Sequence, residues 1–280
     1  VNWSERALTV DCQGDTLVAV LSLPAATPSA GVVIVVGGPQ YRAGSHRQFT
    51  ELARSLSASG LAVLRADVRG MGDSTGAQRT FEDLGDDVGA LTDALRAAVP
   101  GVQRLVLWAL CDGASAALLH LHAKPESRVD GLVVVNPWVK TPQLEARARL
   151  KNYYLQRVLQ KSFWQRLLTG RIGTSALGDM ASSVRQSGRG NTPASAEQPF
   201  PARMLSAIKA FHRPVLLILS GRDQTAHEFA ELVKTSKDWR AVLSRPTTQR
   251  LDFPDADHTF SDRAGMKQVA QATANWVLSV

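Results

Sequence analysis

Apolar, β-branched runs of strand length recur along this chain, and between them lie segments with helical spacing. A strand with no polar face has to be covered on both sides. The pattern therefore predicts an α/β fold, a mostly parallel sheet with helices on both faces. Strands read at 31–36, 61–67, 104–110, 131–135, 214–219 and 248–253, with an earlier one at 15–23. Helices read at 49–59 (Phe49, Leu52, Ala53 and Leu56 on one stripe, then Gly60), at 83–99 (Val88, Leu91, Leu95, Val99), at 114–122 and at 262–278. In such a sheet a ligand site belongs at the carboxyl ends of the strands.

One region breaks the alternation. From 141 to 211 no strand reads; a basic stretch with helical character leads into a Ser/Gly/Pro-rich tract. This predicts a core made of 1–139 and 212–280, with 140–211 inserted as a helical cap. Its 187–199 tract reads as flexible loop. The chain carries a net charge of +7, which raises the question of nucleic acid. The segment from Lys140 to Arg171 holds eight basic residues against Glu145 alone, so the whole excess sits in the insert. With no recognised module and no base-stacking aromatics, that placement argues against a nucleic-acid partner. Tyr153, Tyr154, Leu155, Phe163 and Trp164 give the cap an apolar face to lay over a site. Its basic residues would suit an anionic acyl carrier, a polysaccharide or a membrane surface.

Two cysteines, Cys12 and Cys111, are far apart and show no ligand spacing, so both read as reduced thiols. The first residues lack the pattern of a signal peptide, and no apolar run approaches the roughly 20 residues that cross a bilayer. A cytoplasmic protein is expected. No HExxH occurs, and His120 and His122 cannot share a helix face, so no metal site is expected; the glycines at 37–38 lack the Gly-Lys-Ser/Thr of a P-loop, and no dinucleotide or other cofactor is implied.

The strongest chemical signal is the passage from the strand Leu105-Val106-Leu107-Trp108 through Ala109-Leu110-Cys111-Asp112-Gly113 into a helix. Small residues two positions either side of a nucleophile, at a strand–turn–helix junction, make a nucleophile elbow, here with cysteine where serine is commoner. A thiol at a helix N-terminus feels the positive end of the dipole, which favours thiolate. The competing reading is a buried structural cysteine. Asp223 follows the strand at 214–219, where it either holds a histidine or caps the next helix. His258 lies in the loop after the last strand. The chain order Cys111, Asp223, His258 is the order of an α/β-hydrolase triad. An oxyanion hole would take the backbone N–H of Asp112 and, because Pro39 has none, that of Gln40. The glycines of 67–74 read as packing.

Gly37-Gly38-Pro39-Gln40-Tyr41-Arg42, Gly44-Ser45-His46-Arg47 and Asp67-Val68-Arg69-Gly70-Met71-Gly72-Asp73-Ser74 resemble the α/β-hydrolase superfamily. Together with Leu110-Cys111-Asp112, Asn136-Pro137-Trp138 and Ala148-Arg149-Leu150-Lys151-Asn152-Tyr153-Tyr154-Leu155, they look like the exosortase A system-associated hydrolases, type 1. The similarity covers most of the chain and fades at 187–199. It implies an association with exopolysaccharide and protein-sorting loci, without a substrate. Ala109 stands where the superfamily more often has glycine.

These readings predict a hydrolase of carboxylic esters or thioesters working through an acyl-enzyme. Two others stay open: an acyltransferase acting on a saccharide or lipid-linked saccharide, and a catalytically silent scaffold that binds a partner.

Overall fold

The computed structural model describes residues 2–37, 40–140 and 198–280. The chain divides into two compact units, Val1–Val139 with Phe200–Val280, and Lys140–Pro199. The expected cap helices, the basic stretch from Arg147 to Arg171 and nearly all of the 187–199 tract lie outside the described residues, as do Gly38 and Pro39.

Eight strands make one sheet: β1 (Trp3–Cys12), β2 (Asp15–Pro24), β3 (Ala30–Val35), β4 (Ala62–Ala66), β5 (Arg104–Leu110), β6 (Gly131–Val135), β7 (Val215–Arg222) and β8 (Thr248–Asp257). Their order is β1-β2-β4-β3-β5-β6-β7-β8. The first two strands pair antiparallel, β2 pairs antiparallel with β4, and every later pairing is parallel. This is the α/β-hydrolase fold.

Period-2 alternation divides the sheet's residues between two apolar layers. On β5, Leu105, Leu107 and Ala109 enter one layer while Val106, Trp108 and Leu110 enter the other. The first layer packs under α2 (Gly85–Ala98), α3 (Asp112–Ala123), α4 (Phe200–Ala210), α5 (Gln224–Thr235) and α6 (Lys237–Leu243). The second packs under α1 (Gln48–Ala58) and α7 (Arg263–Ser279), through Phe49, Leu52 and Leu56 on one helix and Val269, Trp276 and Val277 on the other. Leu107 and Leu132 are fully enclosed, and truncating either to alanine would cost about 2–5 kcal/mol.

Besides β7, which runs on to Arg222, and α6, which was not read, the structure departs from the sequence reading in three places. The long strand β1 was not foreseen. Its residues are mostly exposed or half-exposed, and it joins β2 through Gln13 and Gly14, both at positive φ (57° and 85°), the two-residue turn that suits a twisted hairpin. Strand β8 continues four residues beyond the expected 253, because as the sheet's edge it tolerates Pro254, which has no N–H to give. Finally, α4 falls in the stretch the sequence reading gave to the insert, yet it belongs to the larger unit. Phe200, Met204, Ala207 and Ile208 are buried in the same apolar layer as α3, and the Phe200 ring meets Phe81 edge to face at 5.0 Å. Among the described residues no helix is long and apolar enough to cross a membrane.

Candidate active site

Strand β5 ends at Leu110, and the chain turns sharply into α3 at Cys111. Cys111 has φ 59° and ψ −125°, a conformation that costs a non-glycine residue about 1–3 kcal/mol and persists only where its surroundings enforce it. Those surroundings are visible. The Cys111 N–H donates to Val135 O (2.9 Å), and its carbonyl accepts from Ala114 N (3.1 Å) and Trp138 N (3.1 Å). The turn needs room as well. A methyl group on Gly113 would stand 2.6 Å from Val35 O, and one on Gly37 would collide with the Gly113 backbone. The loop after β3 and the first turn of α3 therefore meet backbone to backbone. Ala109 is accepted within β5, fully buried.

Asp223 follows β7 and answers both sequence readings at once. Its carboxylate caps α5, accepting from Thr225 N and Ala226 N at 3.1 Å each, and Oδ2 lies 2.9 Å from His258 Nδ1. Burial alone would raise the Asp223 carboxyl. The hydrogen bond and charge of His258, with the two amides, outweigh it and hold the group below the usual carboxylate range. A break in register brings the two loops together: Ser220 pairs with Phe253, but Arg222 pairs with Asp257, so β8 carries two extra residues there. Bulges of this kind re-aim side chains beside sites. Gly221 sits at the break, where any Cβ would strike the Pro254 backbone.

His258 is about one-third exposed. Its hydrogen bond to Asp223 and the one it shares with the Cys111 thiol push the imidazole up to about 10. With Nδ1 committed to Asp223, Nε2 is the nitrogen left to meet the sulfur. Cys111, Asp223 and His258, 147 residues apart in sequence from first to last, thus meet at the carboxyl edge of the sheet.

Asp112 is the first residue of α3, so its backbone N–H stands at the N-terminal end of that helix. Gln40 is half-buried, and its side-chain Oε1 is enclosed without a hydrogen-bond partner among the described residues. The motif from Asp67 to Ser74 is a knot of turn contacts. The buried Asp67 carboxylate takes Arg42 N (2.6 Å), Asp73 N (2.9 Å) and the Arg42 guanidinium, which ties the loop after Gln40 to the sheet. Among the described residues no three His, Cys, Asp or Glu side chains are grouped as a metal site.

Asn136 is a residue the sequence reading did not single out for the site. It is fully buried at the end of β6, with φ 45°. Its Oδ1 accepts from Ser220 N (2.9 Å), while Nδ2 donates to Ser220 Oγ (2.9 Å) and to the carbonyl of His258 (3.2 Å). One amide therefore locks β6 to β7 and fixes the backbone that presents the imidazole. Its signal was a lone polar residue between a run of valines and a proline.

The family model for serine aminopeptidases, S33, matches residues 27–237. The chain belongs to this family of α/β hydrolases. The S33 family is named for serine, and this member has Cys111 at the elbow. A comparison with curated proteins finds no match. Among solved structures, the chain is similar to an esterase of Pyrococcus furiosus (16% identity, TM-score 0.64, 99% of this chain and 93% of that one). It is also similar to dienelactone hydrolase of Anabaena variabilis (18%, 0.63, 100% and 99%). A third is a serine hydrolase without a lid from Xanthomonas campestris (17%, 0.58, 99% and 94%). At these identities the likeness is one of fold.

Proposed function

We propose that this S33-family member hydrolyses a carboxylic ester or thioester through an acyl-enzyme on Cys111. The observation that carries the reading is the strained Cys111 at the elbow, sharing a hydrogen bond with an imidazole whose other nitrogen is held by buried Asp223.

An imidazole raised to about 10 is protonated at neutral pH, so His258 enters the cycle as an imidazolium, and the species that attacks is the thiolate form of Cys111. Sulfur attacks the carbonyl carbon, and the developing oxyanion is met by the Asp112 and Gln40 amides. The tetrahedral adduct collapses, the bond to the leaving group breaks, and His258 gives that group its proton. His258 is then neutral, and the acylated sulfur beside it carries no charge, while the Asp223 carboxylate remains at Nδ1. The ring takes a proton from water, whose oxygen attacks the thioester carbon. The carboxylic acid leaves, the sulfur is expelled as thiolate, and His258 is protonated again. Asp223 keeps the ring in the tautomer that serves both halves.

A thioester intermediate is activated toward hydroxyls and amines as well as water, which favours acyl transfer as the second reading. The resemblance to exosortase-associated hydrolases supports a saccharide or lipid-linked saccharide of exopolysaccharide chemistry as the acceptor or ester. Turnover of activated acyl esters by wild-type and Cys111→Ala protein tests the proposal. Loss of turnover in the variant is expected, and wild-type rates in the variant would refute it.

A further inference from the structure

Residues 40–44 belong to no helix or strand, yet the chain around Gln40 is fixed on both sides. Before it, Gly37 lies against the first turn of α3, where a Cβ would stand 2.2 Å from Gly113 N and 2.3 Å from Asp112 Oδ1. After it, Arg42 is gripped three ways. Its N–H donates to Asp67 Oδ1 (2.6 Å), its carbonyl accepts from Arg65 Nη1 (3.3 Å), and its guanidinium bridges Asp67 and Asp73, reaching the second at 2.6 Å.

The anchors belong to the sheet. Arg65 lies in β4, and Asp67 follows that strand. Asp67 is fully buried; Arg65 is nearly so and pairs in turn with Glu5 of β1 at 3.1 Å. Gly72 closes over the Asp67 carboxylate so tightly that a methyl group there would collide with it.

We propose that Arg42 is a positioning residue of the oxyanion hole: clamped by Asp67 and Asp73, it sets where the Gln40 N–H stands relative to the carbonyl oxygen that becomes charged at Cys111. This deepens the acyl-enzyme reading and rests on it. Three observations carry it. Gln40 is two residues from the clamp, and planar peptides with Cα atoms about 3.8 Å apart pass a shift at 42 on to 40. An oxyanion donor works only within about 2.7–3.1 Å of its target, so a small shift matters. Second, the Gln40 side chain does not account for where the loop sits. Its Oε1 is enclosed without a hydrogen-bond partner among the described residues, an arrangement that costs free energy and needs a hold from outside. Third, the clamp exceeds what burial of Asp67 requires. Arg42 N and Asp73 N already give that carboxylate two donors, and any residue but proline at 42 would supply the first. The guanidinium adds charge-assisted bonds to two carboxylates, which fix orientation as well as balance charge.

The test uses the full chain and paired activated acyl esters that differ in one atom, C=O in one and C=S in the other. Sulfur is a weak hydrogen-bond acceptor, so the thiono ester gains little from the hole. Wild type should turn over the oxo ester faster. Arg42→Ala should lower kcat for the oxo ester about 10- to 100-fold with KM nearly unchanged, and shrink the oxo-to-thiono ratio about ten-fold or more. Arg42→Lys should restore part of both losses. If the alanine variant does not fold, Arg42→Gln takes its place. Arg96→Gln, which breaks a similarly exposed ion pair with Asp130, should leave kcat and the ratio as in wild type. A ratio that does not shrink, or a loss of kcat equal for the two esters, would mean that the clamp serves the fold alone and would overturn the proposal. No turnover of either ester by wild type would instead sink the acyl-enzyme reading, and this inference with it.

Discussion

Oδ2 of Asp223 lies 2.9 Å from Nδ1 of His258, and the same carboxyl group receives the Thr225 and Ala226 amides at the head of α5. One side chain thus begins a helix and aims a ring. Replacements separate the two roles. Asparagine keeps a capping oxygen and loses the charge, so Asp223→Asn should hold its melting temperature while kcat/KM falls by roughly 10²- to 10⁴-fold. Asp223→Ala should lose comparable activity and, with the cap gone, about 0.5–2 kcal/mol of stability. Steady-state kinetics beside thermal denaturation read both.

The pH dependence follows from the raised imidazole. Its pKa rises on folding from 6.5 to about 10, so its contribution to stability is fully present below 6.5 and is lost as pH rises through about 10. Activity that needs the imidazolium should fall over the same basic limb. Because part of the rise comes from Cys111, the His258 ring in Cys111→Ala should titrate lower than in wild type. Ring-proton NMR across pH 6 to 11 measures the difference; an unmoved titration would mean sulfur and ring do not interact.

Asn136 should behave as a positioning residue. Asn136→Ala leaves Ser220 N buried without its acceptor and places alanine at φ 45°. Losses of about 1–3 kcal/mol for the unpaired amide and about 1–2 for the backbone are expected in urea denaturation. Asn136→Gly removes only the hydrogen bonds. If Asn136 steadies the ring, the glycine variant should lower kcat more than it raises KM.

The thiols should differ in reactivity. Cys12 is buried, which pushes its thiol up, whereas Cys111 is half-exposed at the elbow. Iodoacetamide at neutral pH should alkylate Cys111 first, as read by peptide mapping, with Cys12 following only on unfolding. Labelling of Cys12 first would contradict the placement.

The parallel centre of the sheet was legible because β3 to β7 are continuous apolar runs that only a doubly covered strand explains. The proximity of Cys111, Asp223 and His258 was legible from their chain order, the first two each following an apolar run and the third following the mixed edge strand. Strand β1 was not, since half-exposed strands carry mixed residues, and its Gln13-Gly14 turn alone is a weak cue. The extension of β8 was hidden by Pro254, which ends most strands and is harmless at an edge. The contacts that hold the site escaped for a different reason. The meeting of Gly37 with Gly113, and of Asn136 with Ser220 and the His258 carbonyl, joins residues 76 to 122 positions apart, and no local pattern encodes such a pair.

The central claim is that the Cys111 sulfur carries the acyl group. Intact-mass spectrometry of the protein quenched in acid after brief incubation with a panel of acyl thioesters tests it most directly. The account predicts a single acyl adduct with at least one of them, mapped to Cys111, absent from Cys111→Ala and longer-lived in His258→Ala if any forms there. Turnover without an adduct on Cys111, or an equal adduct in Cys111→Ala, would contradict it.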